Sequence, residues 1–390
     1  MIKFDGDFRR AILYFFLYCP LGIISPLIGQ YLSSIGFSGT QVGIVTSLGT
    51  GVAIVAGLLW GKVYANSYRK RLVLAIMCVV SATLGVISTS TTVFLVYAAL
   101  YSVLYFFQGP LHGLADAFVI SKSNNFSGIR AMGAAGYAIA VFVAGEYAER
   151  FGLKGIFYMY AITFVIAAVF IMLESEPPYH KEVEKKVSIS EVFKNSQFIK
   201  LLICSFFLMG TNIANSTYFG YLFRQEGGSV AGIGLAFLLM AGSEAPFMAM
   251  TPKLSKKFGS EKLILFAMAL TALRFGFYAT GPSHTVLLGT FFLQGITNGI
   301  ILVELVKAFG GIVEERLSSM AISVYYAIGN SLSVILCNLI CGVILDIAGP
   351  QGVYLFCFGF NAIAVILYVI LGMYKNENKT KVIIDNGAKE

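Results

Sequence analysis

Repeated long apolar runs limit this chain more than any other feature of its sequence. A helix needs about 20 mostly apolar residues to cross a bilayer. Runs of about that length lie near residues 11–33, 40–61, 72–89, 91–121, 128–149, 153–173, 201–222, 229–251, 263–281, 285–306, 317–345 and 350–373. Charged residues make up only 12% of the sequence, whereas a soluble protein has roughly 25%. We therefore predict an all-α membrane protein with twelve transmembrane helices.

The positive charges lie mostly in the gaps between these runs. A net charge of +8 on a soluble protein could indicate nucleic-acid binding, but here Lys62, Arg69 and Lys70 follow the second run, and Lys256 and Lys257 follow the eighth. Loops on the cytoplasmic side of a membrane are typically basic. We therefore predict a multi-pass protein of a cell membrane, by preference a bacterial inner membrane, with both termini in the cytoplasm. Its surroundings are the lipid bilayer, and no nucleic-acid partner is expected.

The cysteines and the known catalytic motifs argue against chemistry on this chain. The six cysteines all lie in apolar runs without CxxC spacing, which favours buried packing residues over disulfides or metal ligands. A P-loop, a zinc motif and a nucleophile elbow are all missing from the sequence. We expect no cofactor, no metal, no enzymatic activity and no ATP-driven transport. A cleavable signal peptide is not expected either, because the first apolar run is long and lacks a clear small-residue cleavage site.

The sequence repeats itself. A pattern of three glycines and one acid occurs twice with the same spacing, first as Gly145, Glu149, Gly152 and Gly155, then as Gly342, Asp346, Gly349 and Gly352. Parallel repeats of six helices with a solute site between them at the midplane are known in secondary transporters. The predicted division is an N-terminal six-helix half, a central cytoplasmic loop, a C-terminal six-helix half and a cytoplasmic tail, at residues 1–173, 174–200, 201–373 and 374–390.

Charged side chains inside two neighbouring spans indicate a polar site. His112 and Asp116 lie one helical turn apart in the fourth run, and Arg130 lies near the start of the fifth. A charge inside a bilayer costs several kcal/mol unless it is paired or hydrated, so such residues are functional by default. The structural alternative is an ion pair that ties two helices together. The pattern favours a transporter.

Several short motifs are shared with one transporter family. They are Trp60-Gly61-Lys62 with the following Tyr68-Arg69-Lys70-Arg71, then Asp116-Ala117-Phe118, Gly128-Ile129-Arg130 and Ser243-Glu244-Ala245-Pro246. In these motifs the chain resembles the major facilitator superfamily, and within it the lactose-permease-like and phenylpropionate-permease-like symporters, over nearly its whole length. Ala65 stands where the family has an acidic residue. The resemblance implies two pseudo-symmetric six-helix halves and proton-coupled symport of a small polar solute by alternating access.

The resemblance also implies a solute site. In lactose-permease-like proteins, residues at the positions of Asp116 and Arg130 bind sugar hydroxyls, and an aromatic residue at the position of Tyr137 stacks on the sugar ring. A guanidinium and a carboxylate can each hold neighbouring hydroxyls in a bidentate manner. Asn212 and Asn215 add amides in the seventh run, which can bind a solute or join helices. Weaker candidates for lining the pathway are Tyr14, Tyr18, Gln30, Tyr325, Tyr326 and Asn330.

Four further residues are candidates for proton coupling: Glu244, Arg274, His112 and Glu304. Each has a structural alternative: Glu244 and Arg274 could form a fixed ion pair, His112 could be a satisfied interface histidine, and Glu304 could pair with Lys307 one turn later. The resemblance is imperfect here, because Gln294 and Thr297 stand where lactose permease has a histidine and a glutamate. Proton transfer would then use the remaining acids.

The solute itself stays open between several classes. A sugar or oligosaccharide is favoured, with an organic or aromatic acid or a nucleoside as alternatives. Export of hydrophobic compounds is disfavoured by the charged residues in the spans. A sensor that binds solute without transporting it is the alternative from another class. We expect a monomer whose partners are a small-molecule solute and protons.

Overall fold

The computed structural model describes residues 6–176 and 189–375, and within these ranges the chain is helical without a strand. The helices of the first part are α1 (Gly6–Ile24), α2 (Ile28–Ser34), α3 (Gly39–Ala65), α4 (Lys70–Ser88), α5 (Phe94–Ile120), α6 (Phe126–Phe151) and α7 (Ile156–Met172). Those of the second part are α8 (Ile189–Phe193), α9 (Ser196–Gln225), α10 (Val230–Phe258), α11 (Ser260–Ala279), α12 (His284–Thr290), α13 (Phe292–Gly311), α14 (Glu315–Val324) and α15 (Ser333–Ile370). A π-helical stretch, Tyr325–Leu332, joins the last two.

The all-α membrane architecture predicted from the sequence is confirmed. In the described ranges, ten helices are long and apolar enough to cross a bilayer, or eleven if α1 and α2, bent by 44°, form one span. The longest, Glu315–Ile370, has 56 residues, which is more than twice the length that one crossing needs. It leaves helical geometry at Gly349, where φ is 66° and Pro350 follows. The number of twelve spans stays a prediction.

The ends of the bundle follow from the order of the helices. Successive long helices alternate in direction, so the loops fall into two sets. Arg10 bonds Glu174 and Arg71 bonds Glu176, which gathers the start of α1, the start of α4 and the end of α7 at one end. His284 and Gln351 both bond Glu226 at the other end. We call the first the termini end and the second the far end.

Most helix packing stays within each part of the chain. In the first part α1 packs on α6 and α7, and α5 on α3 and α4; in the second part α15 packs on α9 and α11, and α10 on α13. Glycine permits the closest approach. A Cβ on Gly22 or Gly136 would collide with the facing backbone at Tyr137 or Phe15, so α1 and α6 touch through their main chains.

The two parts meet along two long contacts, α6 on α10 and α3 on α15. Of the described residues, those that form hydrogen bonds from one part to the other lie toward the far end. Among these bonds are Ser47 on α3 to the carbonyl of Ile335 on α15 at 2.9 Å, and Tyr221 on α9 to the carbonyl of Gly29 on α2 at 2.7 Å. The two parts are thus joined by hydrogen bonds at the far end.

The predicted central loop, residues 174–200, is only partly described, because residues 177–188 lie outside the described ranges. Glu174, at its start, is 2% exposed and sits among Arg9, Arg10 and Lys122. Burial lowers the pKa of Lys122, and the carboxylate of Glu174 opposes that shift. The predicted tail, residues 374–390, lies outside the described residues after Lys375. The division of the chain at these boundaries stays a prediction.

Candidate solute-binding site

The first side of the candidate site is built on α1, α5 and α6. The hydroxyl of Tyr14 donates to Oδ1 of Asp116 at 2.8 Å. One turn later on α1, the ring of Tyr18 lies 4.2 Å from the guanidinium carbon of Arg130 and 4.6 Å from the ring of His112. Because both tyrosines lie on one face of α1, this helix gathers all three charged or titratable residues that the sequence predicted for this site.

The contacts of Asp116 and His112 bear on the two structural alternatives considered from the sequence, an ion pair between helices and an interface histidine. The hydrogen bond of Asp116 comes from Tyr14, so the carboxylate is held without a direct bond to Arg130. His112 lies 3.3 Å, through Nε2, from the carbonyl of Leu17 and packs on Tyr18. A histidine whose ring nitrogen is hydrogen-bonded at a helix interface would occupy this position. His112 also lies one helical turn from Asp116.

Arg130 faces the space between the two parts of the chain. Its side chain is exposed, and α6, which carries it, packs on α1 in the first part and on α10, the helix of Glu244, in the second. Cation–π contact with Tyr18 leaves the N–H groups of the guanidinium free to bind a solute. Arg130 is thus the cationic group best placed to contact a solute from either side.

Tyr137 lies two helical turns after Arg130 on α6. It is half-buried. The backbone of Tyr137 is fixed against α1 at Gly22. Tyr137 therefore lies where α6 packs on α1, on the same helix as Arg130.

The second side of the site is a chain of amides that ends on a carboxylate. Nδ2 of Asn212 on α9 donates to Oδ1 of Asn298 on α13 at 2.7 Å, and Nδ2 of Asn298 donates to Oε2 of Glu244 on α10 at 3.2 Å. Three helices are thereby joined through Asn298. Sequence reasoning missed Asn298; its signal was a polar residue four positions after Gln294, on the same face of the helix.

Asn215 belongs to a separate and deeper network. Its Nδ2 donates to Oε1 of Gln294 at 2.6 Å, its Oδ1 accepts from Tyr354 at 2.5 Å, and Nη1 of Arg274 donates to the same Gln294 oxygen at 3.0 Å. Arg274 is 3% exposed and Asn215 is 2% exposed. Neither can contact a solute in the space between the two parts unless the second part rearranges.

The predicted partnership of Glu244 with Arg274 is not formed in this structure. Glu244 bonds Asn298, and Arg274 bonds Gln294 and lies over the ring of Phe275 at 4.5 Å. Nε and Nη2 of Arg274 have no hydrogen-bond partner among the described residues. A fixed ion pair between the two helices, the structural alternative, is therefore not what holds α10 and α11 together.

Glu304 lies apart from these groups. It is completely buried, its Oε2 accepts from Ser255 at 3.2 Å, and Nζ of Lys307 lies 3.8 Å away. Six residues along α13 separate it from Asn298, which corresponds to about 9 Å toward the termini end. The pairing with Lys307 matches the structural alternative given for Glu304. No group of three His, Cys, Asp or Glu side chains in the described part of the chain could hold a metal ion.

Comparisons with known proteins place this geometry in context. The MFS_1 like family matches residues 8–356. A maltose permease of Geobacillus stearothermophilus is 30% identical over 379 residues, covering 95% of this chain and 96% of the permease. A sucrose permease of Escherichia coli is 24% identical, covering 90% and 88%. The crystal structure of the nucleoside transporter NupG superimposes with a TM-score of 0.85 at 18% identity, covering 95% of this chain and 100% of that one.

Proposed function

Since the chain belongs to the MFS_1 like family and is a multi-pass membrane transporter, we propose that it carries a sugar or oligosaccharide across a bacterial inner membrane by proton-coupled symport. The family and the transporter fold expected from the sequence motifs are thereby confirmed, and the relatives that match are transporters, not enzymes. The sugar, the proton, the monomeric state and the cytoplasmic position of both termini are parts of the proposal.

One observation carries the choice of site. Arg130 is exposed on α6, the helix that packs both on α1, whose Tyr14 holds Asp116, and on α10, which carries Glu244. A guanidinium and a carboxylate on one wall, with the ring of Tyr137 beside them, match the needs of a sugar, which offers hydroxyl pairs and an apolar ring face. Nearly full-length similarity to a maltose permease supports the same substrate class.

The proposed cycle is alternating access. Residues 1–173 and 201–373 act as two halves that rock around the site, and the far-end contacts close one side while the termini end is open. Asn212, through Asn298, places the carboxylate of Glu244 opposite Arg130. We assign proton uptake to Glu244 with Asp116. We assign supporting roles, without direct contact to the solute, to Asn215, Arg274, His112 and Glu304.

The test is solute-induced proton uptake by purified protein in liposomes. Maltose, sucrose, a nucleoside and an aromatic acid are added separately without an imposed gradient, and the external pH is recorded. We expect alkalinisation with a sugar, and its loss in Asp116→Asn and Glu244→Gln. Uptake of sugar without any pH change would contradict proton coupling. Binding of solute without uptake would indicate a sensor.

A nucleoside is the second candidate, and the amides favour it. Oδ1 of Asn212 has no hydrogen-bond partner among the described residues, so it is available to accept a hydrogen bond from a base. An organic acid is disfavoured, because of the two arginines in the spans only Arg130 is exposed, whereas Arg274 is 3% exposed. Alkalinisation by the nucleoside alone, in the same assay, would favour this second candidate.

A further inference from the structure

The acids of the internal repeat take part in contacts that the solute site does not use. Oε2 of Glu149, on α6, accepts a hydrogen bond from the backbone N–H of Val230 at 2.6 Å and lies 3.4 Å from that of Ala231. These are the first two residues of α10, which belongs to the other part of the chain. The carboxylate of Glu149 thus binds the N-terminus of a helix across the boundary.

Asp346 does the same in the opposite direction. Its Oδ1 accepts from the backbone N–H of Gly39 at 2.6 Å, and its Oδ2 accepts from the backbone N–H and the hydroxyl of Thr40 at 2.7 Å and 2.6 Å. Gly39 and Thr40 are the first two residues of α3. Each part of the chain therefore contributes one acid and receives the other.

The two helix ends are otherwise capped in the same manner. Ser38 accepts a hydrogen bond from the N–H of Gln41, and Ser229 accepts one from the N–H of Gly232, which in each case is the third residue of the helix. A serine N-cap satisfies one of the free N–H groups at a helix start and leaves the first two without partners. The carboxylate from the opposite part bonds those two, which also lie at the positive end of the helix dipole.

The glycines of the repeat allow this approach. A Cβ on Gly145, one turn before Glu149, would lie 3.0 Å from the Cα of Gly234 on α10. A Cβ on Gly342, one turn before Asp346, would collide with the carbonyl oxygen of Gly39 on α3. At both contacts the backbones must touch before the carboxylate can reach the helix start. The repeated Gly-xxx-acid spacing places a glycine at the backbone contact and the acid one turn later, at the helix start.

We propose that Glu149 and Asp346 are a matched pair of latches that hold the far end closed, and that both must release before the cavity can open on that side. The inference rests on the alternating access of the proposed function and adds two positioning residues to it. When the latches open, water takes over the freed N–H groups, so each latch is weak enough to break in every cycle. Neither acid contacts the solute.

The test measures distance, so it needs no substrate. Spin labels are attached at Ser90→Cys and Ser283→Cys, two exposed positions in far-end loops of opposite parts, in a protein whose six native cysteines are buried. Loss of an N-cap acceptor costs about 1 kcal/mol, so Glu149→Ala and Asp346→Ala should each raise the ratio of open to closed far ends about fivefold. Together they should raise it about 25-fold if the latches are independent.

Conservative and matched variants complete the test. Glu149→Gln and Asp346→Asn keep an acceptor oxygen, so their shifts should be smaller than those of the alanine variants. Glu146→Ala is the control, because Glu146 pairs with Arg150 on its own helix at 3.4 Å and should leave the distances unchanged. Unaltered distances in the folded double variant would overturn the proposal that Glu149 and Asp346 hold the far end closed. If the variants show these shifts but the wild-type protein shows no uptake, the transport proposal is overturned and the latches stand.

Discussion

At the scale of single residues, the site depends on what each polar side chain bonds within an apolar bundle. The sequence identified Asp116, Arg130 and Glu244 because charges inside spans are costly. It could not reveal that Tyr14 holds Asp116 or that Asn298 holds Glu244. Hydropathy fixes which residues are in a span, but it does not fix the rotation of one helix against another, and that rotation selects the partners.

Arg130→Ala should abolish sugar uptake while leaving the protein in the membrane. Two charge-assisted hydrogen bonds to neighbouring hydroxyls are lost, which corresponds to roughly 3 kcal/mol, or about 100-fold in affinity. Uptake into liposomes and solute affinity are the measurements. Arg150→Ala is the matched control, because Arg150 lies on the same helix with a side chain that is 71% exposed. Normal uptake by the Arg130 variant would contradict the proposed site.

Asn298→Ala should weaken solute binding although Asn298 was not among the residues predicted from the sequence. The substitution removes the link from Asn212 to Glu244 and leaves both without their shared partner. A loss of about 1–3 kcal/mol is expected for such an unsatisfied pair, which is up to about 100-fold in affinity. Isothermal titration with maltose measures it. An unchanged affinity would mean that the amide chain is interhelical packing alone.

At the scale of elements, the apolar runs predicted the presence of the helices well and their breaks poorly. The first run, 11–33, was predicted as one span, whereas the structure bends it by 44° between α1 and α2. The run at 285–306 divides into α12 and α13, and the last two runs continue through Gly349. These breaks depend on tertiary contacts and on single backbone angles, which a hydropathy window averages away.

Gly136→Ala should destabilise the protein through the contact of α1 with α6. The added Cβ would collide with the backbone of Phe15, and overpacking of this kind costs typically 1–3 kcal/mol. The midpoint of thermal unfolding in detergent should fall. Gly57→Ala is the control, since nothing lies within 4 Å of the Cβ that it would add. Equal midpoints for the two variants would contradict close helix contact at Gly136.

At the scale of the whole molecule, hydrogen bonds join the two parts of the chain at the far end. The pseudo-symmetry was visible in the sequence as a repeated Gly-xxx-acid pattern. The pattern did not reveal that each acid bonds a helix start on the opposite part of the chain. Contacts between residues separated by about 80 to 300 positions are beyond what local spacing can predict.

A sugar that binds between the two parts should stabilise the entire bundle. A ligand present at 100 times its dissociation constant adds about 2.7 kcal/mol to the folded state. Maltose should therefore raise the thermal unfolding midpoint of the wild-type protein by a few degrees. The Arg130→Ala variant should show no such rise at the same maltose concentration. A rise of equal size in both proteins would place the binding site elsewhere.

The exchange of acids between the two parts has a consequence for inheritance. Each part carries one half of each latch, so neither contact can be passed on by one part alone. A chimera that joins residues 1–173 of this chain to the second part of a distant relative would keep Glu149 and the start of α3, but would need a foreign partner for each. Compatibility of exchanged parts should therefore depend on the two acids, and on helix starts whose first two residues offer backbone N–H groups, more than on overall sequence identity.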